Sequence, residues 1–201
     1  MCLIMMPATQ ITRITFVLLI GFIFSFSPSI LVADQGDSQL DTLFEKLSNA
    51  VNVKEARAVE YEIIRIWGQS GEKEIDQRMS WGGTAMREGS FQEALEIFTA
   101  ITKKKPNFSE GWNMHATILF FMDRHEESLE SVQRTLELEP RHFGALAGKG
   151  LMFAHQERLV EALEIFETAK NIYPLHSRIN ERIAQMHLLI KVKKGLKEKS
   201  I

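Results

Sequence analysis

Six histidines are the first residues to weigh as chemistry, because imidazole titrates near neutral pH and is the commonest metal ligand. They stand at His115, His125, His142, His155, His176 and His187. No two make an H-E-x-x-H pair or a comparable ligand spacing, so the pattern predicts partly exposed helix or loop histidines and no metal. Acid pairs such as Glu126-Glu127 lie in polar stretches, without the burial that raises a carboxyl pKa for acid–base work. There is no G-x-S-x-G elbow and no Gly-rich phosphate loop after a strand. Gly148 and Gly150 stand inside a helical pattern, where close helix packing accounts for them. These absences predict a protein that is not an enzyme and needs no cofactor.

The basic residues offer binding chemistry instead. Arg178 and Arg182 are four apart and so share one helix face, where they can hold a carboxylate by charge-assisted bonds. Lys103-Lys104-Lys105 precedes Pro106 at a helix C-terminus, where the helix dipole favours cations. Lys191, Lys193, Lys194, Lys197 and Lys199 form a tail that reads as a solvated, frayed end. The formal net charge is −2, so no strongly basic surface is implied and nucleic acid is not expected as a partner.

These residues need elements to carry them. At 45% hydrophobic and 25% charged, the 201-residue chain has the composition of a globular protein, which excludes wholesale disorder. The first 33 residues stand apart: Arg13 is their one charged side chain, and 14–33 reads ITFVLLIGFIFSFSPSILVA. A basic residue, an apolar run and a small residue at Ala33 predict a secretory signal peptide over 1–33. The alternative is a retained membrane anchor, since about 20 apolar residues span a bilayer; Ser25, Ser27 and Pro28 count against it. Cleavage would also remove Cys2, the only cysteine, leaving a chain that enters an oxidising compartment without mispairing. The expectation is an exported protein, periplasmic or secreted, or else one anchored to the inner membrane.

Beyond 33, the chain repeats. Pro106, Pro140 and Pro174 are evenly spaced and set a period. In the same register, Ala94, Ser128 and Ala162 are small. Phe98, Val132 and Phe166 are apolar, Gly82, Ala116 and Gly150 are small, and Ala85, Leu119 and Phe153 are apolar. Helix pairs explain the columns. Small residues of the two helices let the backbones approach, the large residue of the second helix fills space towards the next unit, and proline ends the second helix. No single unit buries its apolar face; stacking does.

At these residues the chain resembles the tetratricopeptide-repeat (TPR) family, particularly small exported bacterial members. The proline spacing matches the family's period of about 34 residues. The strongest stretch is Gly89-Ser90-Phe91-Gln92-Glu93-Ala94-Leu95-Glu96-Ile97-Phe98. Val160-Glu161-Ala162-Leu163-Glu164-Ile165-Phe166 nearly copies its second half, and Trp112 stands at the family's Trp position. His115 and Lys149 depart from a column where the family prefers Leu, and Ser128 replaces the usual Ala. The resemblance implies an all-α solenoid of antiparallel helix pairs, with repeats at 75–108, 109–142 and 143–176. Stripes at Leu40, Leu43, Phe44, Leu47 and at Ala56, Val59, Ile63, Ile66 predict a degenerate hairpin within 34–72 that caps the N-terminal side. Ile179, Ile183, Met186 and Ile190 predict a capping helix within 177–201, ahead of the Lys-rich tail.

The resemblance also implies a concave groove lined by the first helix of each pair, taking a peptide or a partner helix. Its residues would be Met79, Gly83 and Met86, then Asn113, Met114, Thr117, Phe120 and Phe121, then Gly144, Ala147, Gly148 and Leu151, with Arg178, Arg182 and Gln185 from the cap. This predicts a methionine-rich floor that adapts its shape, beside an arginine wall. Met79 and Gly83 stand where the chaperone-binding clamp of some family members needs Lys and Asn, so that ligand is not expected. The function predicted is a non-catalytic interaction module for another envelope protein, an adaptor or assembly factor. The alternatives are a membrane-tethered scaffold and an accessory subunit of an envelope enzyme complex; self-association through the end helices would also suit the array. The membrane enters as a partner only if the N-terminal segment is retained.

Overall fold

The computed structural model describes residues 39–198. The run at 14–33, with its signal-peptide or anchor reading, lies outside the described residues. So does Lys199.

The described residues form helices and no strand: α1 Gln39–Asn49, α2 Val53–Trp67, α3 Lys73–Arg87, α4 Phe91–Lys104, α5 Ser109–Phe121, α6 His125–Leu138, α7 Phe143–His155, α8 Leu159–Ile172 and α9 Ser177–Glu198. The described residues thus form an all-α TPR-type solenoid, in which α3–α4, α5–α6 and α7–α8 are three helix pairs and α9 is the cap.

The turns explain the period. After each first helix, Gly89, Asp123 and Glu157 take left-handed φ values of 78°, 58° and 58°. The next N–H reaches back five residues each time, Ser90 to Ala85, Arg124 to Leu119 and Arg158 to Phe153, all at 2.9 Å. This is the Schellman closure, repeated three times. After each second helix, the residue ahead of proline is forced out of the helical region. Lys105, Glu139 and Tyr173 accordingly share one conformation, with φ/ψ of −131/75°, −137/93° and −130/80°.

The small columns do their packing differently from the expectation. A Cβ at Gly82 would lie 2.7 Å from the Phe98 ring, and one at Gly150 2.7 Å from the Phe166 ring. In the middle pair, Ala116 and the smaller Val132 share a cluster. The large residue of each second helix therefore fills the notch left by the small residue of its own first helix, and it also joins a core with the next unit, Phe98 with Leu119, Val132 with Ala145 and Phe166 with Ile179. Ring size and notch size compensate within each pair. Small against small also occurs: the Ser128 hydroxyl donates to the Ala116 carbonyl at 2.8 Å, which the close helix approach permits.

The second correction is the N-terminal hairpin. It starts as the sequence allows: Asn52 caps α2 by accepting from the Glu55 N–H at 2.9 Å, and Glu55 accepts from the Val51 N–H at 3.1 Å. It does not cap α3. Its buried face, Leu40, Phe44, Leu47, Ala56, Ile63, Ile66 and Trp67, joins one core with Phe143, Phe166, Tyr173, Ile179, Ile183 and Met186 of α7–α9. Trp67 stacks on His142 at 4.0 Å and 9°, and the Tyr173 hydroxyl donates to Glu60 at 3.0 Å. Arg141 bonds Asp41 at 2.7 Å and lies over the Phe44 ring at 4.2 Å. Seven residues of helix rise about 10 Å, so α2 steps from the turn before α9 to the turn before α7 as it runs from Glu60 to Trp67. It is a strap laid along the inter-repeat turns in reverse order. Beyond it, Lys105 holds the Ser70 carbonyl and pairs with Glu72 at 3.1 Å, and Lys104 pairs with Glu74. The lysine run thus ties α4 to the start of α3, a role beyond satisfying a helix dipole.

Candidate binding groove

The site is a cavity of about 530 Å³ between the first helices of the second and third pairs, the cap and the strap. α5 supplies Asn113, Thr117, Phe120 and Phe121 at helical spacing; α7 supplies Gly144, Ala147, Gly148 and Leu151; α9 supplies Arg178 and Arg182. These ten are residues the repeat register assigns to the groove, and they line one space.

Met79, Met86 and Met114 are not among them. They are half-buried and packed against the Phe98–Leu119 core, which absorbs these flexible side chains at its edges. The methionine-rich floor is therefore corrected to one of glycine, alanine and phenylalanine, with Met152 as its one methionine among the described residues. Gly83 and Gln185 also lie outside the lining; Gln185 accepts from Arg182 at 2.9 Å.

Two glycines set the depth. A Cβ at Gly148 would meet nothing within 4 Å, whereas one at Gly144 would meet the His142 ring at 3.3 Å. A glycine inside a helix costs about 0.5–1 kcal/mol relative to alanine. At Gly150 the Phe166 ring demands it; at Gly148 nothing in the fold does. The next unit reverses the chemistry: Arg178 and Arg182 stand one period on from Gly144 and Gly148. The floor is bare backbone, and the wall beside it is two guanidinium groups on exposed stems. Neither arginine forms an ion pair among the described residues, Glu181 included.

The strap adds what periodicity could not. Glu60 and Ile64 of α2 line the cavity, as does His176. Glu60 brings the one carboxylate into a lining whose other charged groups are Arg178 and Arg182. Burial pushes the Tyr173 hydroxyl pKa up, and the nearby Glu60 charge adds to that, so Tyr173 stays a donor. His176 accepts the Ile179 N–H at 3.3 Å; burial holds its pKa below 6.5, Glu60 opposing and Arg178 assisting.

The histidines are more structural than expected. His142 is buried, not partly exposed: its Nδ1 accepts the Ala145 N–H at 3.1 Å, leaving Nε2–H to donate to Glu110 at 2.9 Å. It is the N-cap of α7 and the strap's stacking partner, and His176 repeats the cap one period later. His115 bridges the hydroxyls of Thr99 at 3.1 Å and Ser131 at 2.9 Å, and burial lowers its pKa. That polar bridge is why a column that usually holds Leu tolerates imidazole here. Among the described residues, no group of three or more His, Cys, Asp and Glu side chains is placed to hold a metal.

Comparisons with known proteins agree on the fold. A family model described as tetratricopeptide repeat matches residues 113–177. A TPR repeat-containing protein of Rhizobium etli is 29% identical over 192 residues, covering 89% of this chain and 94% of that protein. The crystal structure of the Sgt2 TPR domain from Aspergillus fumigatus aligns with a TM-score of 0.58 at 17% identity, over 62% of this chain and 83% of that one. The second TPR domain of human RPAP3, in complex with the HSP70 peptide SGPTIEEVD, aligns with a TM-score of 0.52 at 18% identity, over 55% and 92%. At such identities the solved structures speak for the fold alone.

Proposed function

Since this chain is a tetratricopeptide-repeat protein, a fold that implies protein–protein interaction, we propose that it is a non-catalytic adaptor or assembly factor of the cell envelope that holds a peptide or helix of a partner protein between α5, α7, α9 and α2. The observation that carries this reading is Gly148. A helix-interior glycine that no neighbour requires, at the floor of a 530 Å³ space, keeps that space open at a cost to stability. The occupant's chemistry follows from the lining. Phe120, Phe121 and Leu151 take apolar side chains, Arg178 and Arg182 take a carboxylate, and Glu60 takes a donor. A related fold holding an HSP70 peptide supports the peptide class, without making that peptide the ligand. Export is part of the proposal and is supported by the apolar run at 14–33.

The test is a crosslinking pull-down from envelope fractions with the unaltered chain, Gly148→Leu and Arg178→Glu/Arg182→Glu, read by mass spectrometry. A partner captured by the unaltered chain and lost from both variants, at unchanged helicity, is the expected result. Capture of the same partner by Gly148→Leu sinks the groove assignment.

A further inference from the structure

The cap is two-sided. α9 runs 22 residues against 13 for α5 and α7, so its last turns overhang the array. Ile179, Ile183 and Met186 are buried on the core. Leu188, Leu189, Val192 and Leu196 are 61%, 38%, 51% and 65% exposed. At about 100° per residue these four form an apolar stripe about 100° wide on the side away from the buried one. Lys191 and Lys193 flank it on either edge, and both are exposed, as is Lys194. No acidic residue stands between Glu181 and Glu198. Lys193 pairs with Glu157 at 3.1 Å, both largely exposed, while Lys191 and Lys194 form no ion pair among the described residues.

We propose that the outer face of α9 is a docking surface for an anionic lipid bilayer, on which the helix lies flat. Aliphatic side chains flanked by lysines, with acids absent, match an interfacial helix: the chains enter the acyl boundary while lysine stems extend to the head groups. A second copy of this chain fits less well, because pairing two such stripes sets lysine edges against each other with no acid between Glu181 and Glu198 to offset them. The stripe continues the side of α9 that carries Arg178 and Arg182, so a docked bilayer lies near the mouth of the cavity. The proposal stands without the peptide reading of that cavity.

The test uses the full chain carrying Cys2→Ser and Val192→Cys, labelled with an environment-sensitive fluorophore. It is titrated with phosphatidylcholine vesicles with and without phosphatidylglycerol. His187→Cys, exposed on a different side of the same helix, is labelled in parallel. A blue shift at 192 but not at 187, on phosphatidylglycerol vesicles alone, is the expected result. Each lysine near an anionic surface is worth about fivefold in affinity, so Lys191→Glu/Lys193→Glu/Lys194→Glu lowers the apparent affinity by more than about 100-fold. Because the label reports α9, adsorption through the 14–33 run does not produce the signal. No shift on either vesicle, equal shifts on both, a concentration-dependent shift without lipid, or an equal shift with polyglutamate alone each overturns the proposal, the last two in favour of a second copy and of an acidic protein.

Discussion

The two ends of the array are built from one repeating unit and differ in what surrounds it. At the front, α3–α4 and α5 close on their own core, with Met79, Met86 and Met114 filling its edges. At the rear, α7–α9 share a core with the strap, and a cavity opens beside them. Equivalent positions show the change. Met114 stands one period before Gly148, and Gly148 one period before Arg182. The three therefore pack a core, leave a floor bare and supply a charge in turn. A repeat fixes the backbone, and the departures from it decide where a partner fits.

The largest way to break this comparison is Ala162→Arg. Ala162 is fully buried in the rear core, and an unpaired long cation there costs more than about 5 kcal/mol. Hydrogen exchange should show α7–α9 and the strap losing protection while α3–α4 keep theirs; a near-native melting curve contradicts the register. Trp67→Ala should cost about 3–5 kcal/mol by removing the ring that stacks on His142. Its loss of protection should again be confined to the rear, and an equal loss in α3–α4 would show that front and rear are one cooperative unit.

A glycine pair sharpens the comparison further. Gly150→Ala should destabilise by about 1–3 kcal/mol, because its Cβ meets Phe166 at 2.7 Å. Gly148→Ala should stabilise by about 0.5–1 kcal/mol, because its Cβ meets nothing; chemical denaturation measures both. The smallest effect is with pH. The folded pKa values of His115 and His176 lie below the ordinary 6.5, chiefly through burial. The folded state then binds fewer protons than the unfolded chain. This stability is present above pH 6.5 and is lost as pH falls towards the depressed folded values. Denaturation midpoints should therefore drop over that window, and less steeply in His115→Gln.

The proline columns, the small and large columns and the groove faces of α5, α7 and α9 were legible because each is periodic, and periodicity is local. The strap was not legible beyond its two helices. An amphipathic stripe such as Ala56, Val59, Ile63 and Ile66 records that a face is buried but not against what, so Glu60 and Ile64 could not be assigned to the cavity. His142 gave one faint signal: it stands one period before His176, each three residues ahead of the N–H it caps. The methionines misled because, at helical spacing, core and groove look alike until the neighbours are known.

In most solenoids every contact is made with a near neighbour in sequence, so units form in any order and can be added or lost. Here Arg141 reaches back 100 residues to Asp41, and Tyr173 reaches back 113 to Glu60. α1 and α2 cannot find their place until the last repeat exists, which raises the contact order of a fold that is otherwise local. The nascent chain must wait with Trp67 and Phe44 uncovered, and with one repeat inserted between α4 and α7 Trp67 can no longer reach His142 while Lys105 holds Ser70.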